Sequence, residues 1–191
     1  MSRPQIKPGI HAVGAIDWDR RLFDALIPLP DGTSYNSYLV RGSQKTALID
    51  TVDPAMDTVL TGNLDDLNVE NIDYVICNHA EQDHAGSIPL ILDLYPGAKV
   101  VCTPKCKGML MDLLHLDESV ITTVNDGDSL SLGDRTFEFI HAPWVHWPET
   151  MVSYLKEDKV LFSCDFFGSH LTQSALYVQN EGQVYESAKR Y

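Results

Sequence analysis

"CNHAEQDHAGS", residues 77–87, crowds His79, Glu81, Asp83 and His84 into six positions. The apolar run Tyr74-Val75-Ile76 precedes it, and Ala85-Gly86-Ser87 follows. A short apolar run with turn residues on both flanks (73–78) reads as a buried strand. Four metal-capable side chains therefore stand at a strand end. Along an extended segment, side chains at i and i+2 point to the same side, so His79 and Glu81 can grip one ion together. A tight turn then brings Asp83 and His84 round to a neighbouring position. Two ions, about 3.5 to 4 Å apart, fit such a loop, and Gly86 lets a helix start close behind it. A lone surface carboxylate is ordinarily solvated charge, and a lone buried histidine ordinarily serves a core hydrogen bond. Four such groups in six residues, directly after an apolar strand, point to a metal site.

Outward from this loop, short β-branched runs alternate with helices. Segments 36–40 (NSYLV) and 45–50 (KTALID) flank Arg41-Gly42-Ser43-Gln44 and predict a hairpin. Segment 54–67 predicts a helix opened by Pro54. Segment 86–96 predicts a second helix, stopped by Pro96, and 98–103 a strand. Segment 104–116 predicts a helix with an inward apolar stripe. Hairpins are expected over 129–142, around Gly133-Asp134, and over 150–165, around Glu157-Asp158. Sheets covered by helices, a layered α/β fold, follow from this order. His146, in "HAPWVHWPET", and Asp165, in "LFSCDFFGSH", each stand just after a predicted strand. Either could add a ligand, and a carboxylate at 165 could bridge both ions. Imidazole with several carboxylates suits iron or manganese better than a thiolate-rich zinc site.

Composition narrows the function classes. The 191 residues are 44% hydrophobic and 21% charged, enough for one domain with a core of its own. A formal net charge of -13 argues against nucleic-acid binding, which needs a basic footprint, and against anionic membrane surfaces. No apolar run reaches the roughly 18 residues of a spanning helix, and the first residues lack a signal peptide's apolar core. Cys77, Cys102, Cys106 and Cys164 show no disulfide spacing, so a cytoplasmic setting is expected. Cys102 and Cys106 are expected to be buried thiols. His11, His115, His141 and His170 are expected to be structural or to touch ligands.

"HAEQDHAGS" resembles the metal loop of the metallo-β-lactamase fold, whose hydrolases carry H-x-H-x-D-H. A glutamate in place of the second histidine, with "HWPET" and "CDFFGSH" at these separations, resembles the flavodiiron proteins. "DGTSYNSYLV" (31–40) and "IDTVD" (49–53) match that family's early strands. The resemblance implies a metallo-β-lactamase-like αββα sandwich. It also implies reduction of dioxygen to water or of nitric oxide to nitrous oxide at a non-haem diiron centre. Electrons would come through FMN in a flavodoxin-like domain, from rubredoxin or another small donor. Carried over, His79, Glu81 and His146 would bind the first iron, Asp83 and His84 the second, and Asp165 would bridge them. Asp50 and His170 would touch ligands. Glu81 would replace a neutral imidazole by an anion, favouring the higher iron oxidation state over hydrolytic zinc.

The sequence departs from the pattern in three places. The family's further second-iron histidine, well past the bridging aspartate, has no counterpart after His170. No flavodoxin-type phosphate loop occurs, and Phe23-Asp24 stands where many relatives place a histidine. The expectation is one diiron domain over residues 1–191, lacking its last strands. FMN would be present only if a partner domain or chain supplies it, and a homo- or hetero-oligomer is expected. Two other readings compete: a zinc-dependent thioester hydrolase of the same fold, and an oxygen-binding sensor without turnover. Glu81 opposes the first. Stable oxygen binding without consumption would mark the second.

Overall fold

The structure, a computed structural model, describes residues 4–189. Residues 1–3 and 190–191, the ends of the expected 1–191 domain, lie outside the described residues. Two sheets carry the fold. The larger has seven strands, in spatial order Gln5–Lys7, Ile10–Ala12, Tyr38–Arg41, Thr46–Ile49, Tyr74–Ile76, Lys99–Cys102 and Ile121–Thr123. The first four pair antiparallel, and the last four run parallel. The smaller is an antiparallel meander of Ser129–Ser131, Thr136–His141, Met151–Leu155 and Val160–Phe162.

The central strands of the larger sheet are apolar at their inner positions because both faces are covered, as parallel strands require. Leu39, Leu48, Val75 and Val100 face one core, shared with Leu60 and Leu64 of the helix Asp57–Asp66, Ile91 of Ile88–Leu94 and Leu110 of Pro104–Leu114. Their neighbours Val40, Ala47, Ile49, Ile76 and Val101 face the other core, against Phe137, Phe139, Met151, Leu155 and Phe162 of the smaller sheet. The period-2 alternation of strand side chains thus sorts adjacent residues into two cores. The layers are helices, sheet, sheet. On the smaller sheet's far face, Ile140 and Leu161 are exposed. The last helix, Glu181–Ala188, stands beside 27–31, with Ser187 lining a small cavity there.

Each predicted hairpin, helix and strand is present, shortened at its ends. The helix expected over 54–67 opens as a 3-10 turn, Pro54–Met56, capped by the Asp53 carboxylate, which accepts from the Ala55 N–H. The helix expected over 104–116 ends at Leu114, where His115 turns left-handed at φ 55°. Short strands at 5–7, 10–12, 15–17, 22–23, 27–28 and 121–123 have no counterpart in the expectations. Among the described residues no helix is long and apolar enough to cross a membrane.

Candidate metal centre

The loop after Tyr74–Ile76 stays extended to Glu81 (φ -65°, ψ 151°) and then coils into a one-turn helix, Gln82–Ala85. His79 and Glu81 do lie on one side, with Nε2 3.0 Å from Oε2. The turn expected for Asp83 and His84 is that short helix. Gly86 follows because space demands it. A Cβ there would stand 2.6 Å from the Pro54 ring and 2.5 Å from the Gln82 carbonyl. The Thr51 N–H and hydroxyl both donate to the His84 carbonyl, binding the turn to the neighbouring strand's end.

His146 and Asp165 close the site from the smaller sheet. The loop after Thr136–His141 carries His146, and the segment after Val160–Phe162 carries Asp165. Cys164, directly before Asp165, is left-handed at φ 43°, an uncommon state for a non-glycine residue. His146 Nε2 lies 3.1 Å from Glu81 Oε2 and 3.2 Å from Asp165 Oδ2. Asp165 Oδ2 is also 3.5 Å from His79 Nε2, while its Oδ1 is 2.9 Å from His84 Nε2. His84 Nε2 is in turn 3.4 Å from Asp83 Oδ2. One aspartate thus turns one oxygen to each of two clusters, His79–Glu81–His146–Asp165 and Asp83–His84–Asp165. Within each cluster the donor atoms lie within 4.8 Å of one another.

Burial and charge reinforce one another here. His79, Glu81, Asp83 and His84 are buried, while His146 and Asp165 border the opening. Burial works against the charged imidazoles, but the Glu149 and Glu81 hydrogen bonds raise His79 to about 9. Asp83 and Asp165 likewise raise His84 to about 10 against its burial. Burial would raise Asp165, yet His84, His79 and His146 hold it at about 2. Burial dominates at Asp83 and lifts it to about 6. The sign for stability follows from linkage. The two raised histidines stabilise the metal-free fold fully below about pH 6.5, their ordinary value, and this contribution is lost through about 9 and 10.

The surroundings separate neighbours from bystanders. Asp50 is buried and left-handed (φ 51°). Its Oδ1 accepts from the Asn78 N–H at 2.7 Å, and its Oδ2 stands 4.0 Å from His84 Nδ1. Burial raises Asp50 to about 6. His170 lines a small cavity with Asp83, His84 and Asp165, its Nδ1 2.9 Å from the Thr33 hydroxyl. Asp24 stands against Glu81, and burial followed by the Glu81 charge raises its pKa. His141 Nε2 meets the Val124 carbonyl at 3.1 Å, away from both clusters. Cys77, Cys102 and Cys106 are buried thiols, with Cys77 and Cys106 sulfurs 3.8 Å apart. Sequence reasoning missed Glu149, whose Oε1 lies 2.8 Å from His79 Nδ1. Its signal was a glutamate three residues after His146 and directly before a strand, within a motif already singled out.

Stacked sheets with ligand-capable residues gathered at the ends of their strands define a protein of the metallo-β-lactamase fold class. The chain belongs to the ODP family of β-lactamases: the model of that family, "ODP family beta lactamase", matches residues 33–191. It is 40% identical over 175 residues to the type A flavoprotein fprA of Rhodobacter capsulatus, covering 90% of this chain and 40% of that protein. It is 38% identical over 197 residues to a nitric oxide reductase of Moorella thermoacetica, covering 100% of this chain and 49% of the relative. The flavodiiron protein of Giardia intestinalis superposes with a TM-score of 0.89 at 33% identity, over 98% of this chain and 46% of that one. The rubredoxin oxygen:oxidoreductase of Desulfovibrio gigas gives 0.84 at 36% identity, over 90% and 43%. The chain therefore spans about two fifths to half the length of these relatives.

Proposed function

We propose that this chain is the diiron domain of a flavodiiron oxidoreductase that reduces dioxygen to water, nitric oxide to nitrous oxide, or both. The carrying observation is Asp165, which presents its two oxygens to two separate nitrogen- and oxygen-rich clusters. The residues fit a metal pair. Three imidazole Nε2 atoms converge on carboxylate oxygens rather than on backbone or solvent, and Asp83 Oδ1 is buried without a hydrogen-bond partner. Three carboxylates and three imidazoles, with no thiolate among them, are a donor set that suits iron.

His79, Glu81 and His146 would hold the first iron, Asp83 and His84 the second, with Asp165 shared. When bound, the iron pair supplies the electrons for reducing the gas. The three carboxylates would offset most of the positive charge of two ferrous ions in a buried place. On loading, protonated His79 and His84 would each release the Nε2 proton to solvent, freeing that lone pair for the metal. His146, 41% exposed, leaves the pair open to small molecules on the side of the Asp24 loop. In this reading FMN and a rubredoxin-type donor belong to a flavodoxin-like partner domain or chain. Support comes from the names of relatives, among them an anaerobic nitric oxide reductase flavorubredoxin and the rubredoxin oxygen:oxidoreductase.

The test is anaerobic loading with ferrous iron, followed by gas consumption with a reduced FMN-bearing flavodoxin-like domain and a rubredoxin donor. About two irons per chain and consumption of either gas are expected. A preparation that refuses iron, takes stoichiometric zinc and hydrolyses a thioester would overturn the reading. Glu81→Ala should weaken the first ion on the order of a hundredfold or more, leaving the second within a few-fold. One iron per chain should then survive a chelator wash, and two would refute the assignment of Glu81.

Loading should also depend on pH. With His79 and His84 raised to about 9 and 10, both rings are protonated near pH 7 in the metal-free protein. Each ion must displace one of those protons. Affinity should therefore rise about tenfold per pH unit at each site from pH ~6.5 to ~9, with about two protons released per pair. Titration in two buffers of different ionisation heat measures the release. A flat affinity over that range would contradict the assigned protonation.

A further inference from the structure

We propose that Glu149 is the positioning residue of the first metal ion: it fixes the tautomer of His79 and so aims Nε2 at the ion. The proposal rests on the metal-centre reading above and extends it to a residue outside both ligand clusters.

Glu149 and His79 side chains are both fully buried, 70 positions apart in sequence. One carboxylate oxygen, Oε1, meets His79 Nδ1 at 2.8 Å and the Ala80 N–H at 3.0 Å. An ionised carboxylate only accepts hydrogen bonds, so the Nδ1 side of the ring must carry the proton. When the ring gives up a proton, the one that leaves is therefore at Nε2, and the lone pair opens on the atom that faces Glu81 and Asp165. Because Oε1 binds the ring and the next residue's backbone together, it fixes ring rotation as well as tautomer. Trp147 adds an edge-to-face wall, its ring centroid 5.0 Å from that of His79.

The backbone at 149 is itself held in place. Thr103 caps the helix Pro104–Leu114, accepting from the Cys106 N–H, and its hydroxyl donates to the Glu149 carbonyl at 3.0 Å. The next residue but one, Met151, donates its N–H to the Asn78 carbonyl, directly before His79. Glu149 Oε2 is buried without a hydrogen-bond partner, so the carboxylate's polar contacts fall on the Oε1 side. Beside it lies a cavity of about 240 Å³ lined in part by Lys105 and His141. A shorter or neutral side chain at 149 can therefore be accommodated without a clash.

The test compares E149A and E149Q with the native protein by anaerobic ferrous titration against a competing chelator. The two sites are told apart by their 57Fe Mössbauer doublets, assigned with E81A. In E149A the first ion should bind 10- to 100-fold more weakly, as loss of an outer partner does, and the second within about threefold. At one equivalent of iron the occupied site should switch from first to second. E149Q retains an acceptor for the Nδ1–H but not the charge, so it should fall between E149A and the native protein. Unchanged first-site affinity in both variants overturns the proposal, as does equal weakening of both sites, which would mark a purely structural role. Should E149A fail to fold, the shift in site preference of the isosteric E149Q decides alone. Failure of the native protein to bind ferrous iron would sink the metal-centre reading instead, leaving Glu149 as a core partner of His79.

Discussion

Asp165→Ala should cost both ions at once. Every other candidate ligand touches one cluster, but Asp165 offers Oδ2 to His146 and His79 and Oδ1 to His84. Removing it takes a bridging anion from between two cations. The expected loss is on the order of a hundredfold or more at each site, beyond the 10- to 100-fold of a lost outer partner. After a chelator wash the variant should hold no iron, whereas Glu81→Ala should hold one. Asp165→Asn is the control for volume. It keeps an oxygen but not the charge, so it should retain at most the first ion, where His79, Glu81 and His146 remain. In the metal-free state His84 would lose the partner that helps raise it, and its pKa should fall toward the ordinary value. Two irons in washed Asp165→Ala would show that the carboxylate only borders the site.

The six candidate ligands were legible because metal chemistry is local in sequence here. His79, Glu81, Asp83 and His84 share one loop, and His146 and Asp165 each follow a strand that its β-branched run announces. The central strands were legible for a related reason: a strand buried on both faces is a run of apolar residues, as at 100–102 and 47–49. Strands of two or three residues, such as Leu22–Phe23 and Ile27–Pro28, carry no period to read. Their pairing is fixed by tertiary neighbours. Glu149 escaped because its partner lies 70 positions away, so its place in the His146 motif does not say which ring it meets. The left-handed turn at Cys164 escaped too, since no glycine or asparagine marks it. Asp50, by contrast, was expected beside the ligands and is there, although its φ of 51° was not foreseen.

Phe139→Ala should be the most damaging change to the fold itself. Phe139 is fully buried between the sheets, in the core that holds Ile49, Ile76 and Val101 of the larger sheet and Phe137 and Met151 of the smaller. Its strand is paired on both sides, in the register Phe139↔Ser153 and Phe137↔Leu130, so no edge can yield to fill the gap. Truncating a buried phenylalanine costs about 3 to 5 kcal/mol, a fifth or more of the roughly 5 to 15 kcal/mol that holds a typical domain together. Phe139→Leu, which keeps most of the volume, should cost about 1.5 kcal/mol or less. The next residue provides the control. Ile140 points to the far face and is 41% exposed, so Ile140→Ala should cost well under half as much. Urea unfolding of the metal-free proteins measures all three, and equal losses at 139 and 140 would mean that the faces of this strand are assigned wrongly. Iron stoichiometry in the folded fraction should be untouched by Phe139→Ala. Both ligand clusters are anchored by their own contacts, such as the Ser153 hydroxyl donating to Asn78 Oδ1 at 2.6 Å and the Thr51 clamp on His84. Loss of one ion from still-folded Phe139→Ala would instead show that the inter-sheet core sets the distance between the His146 loop and the 79–84 turn.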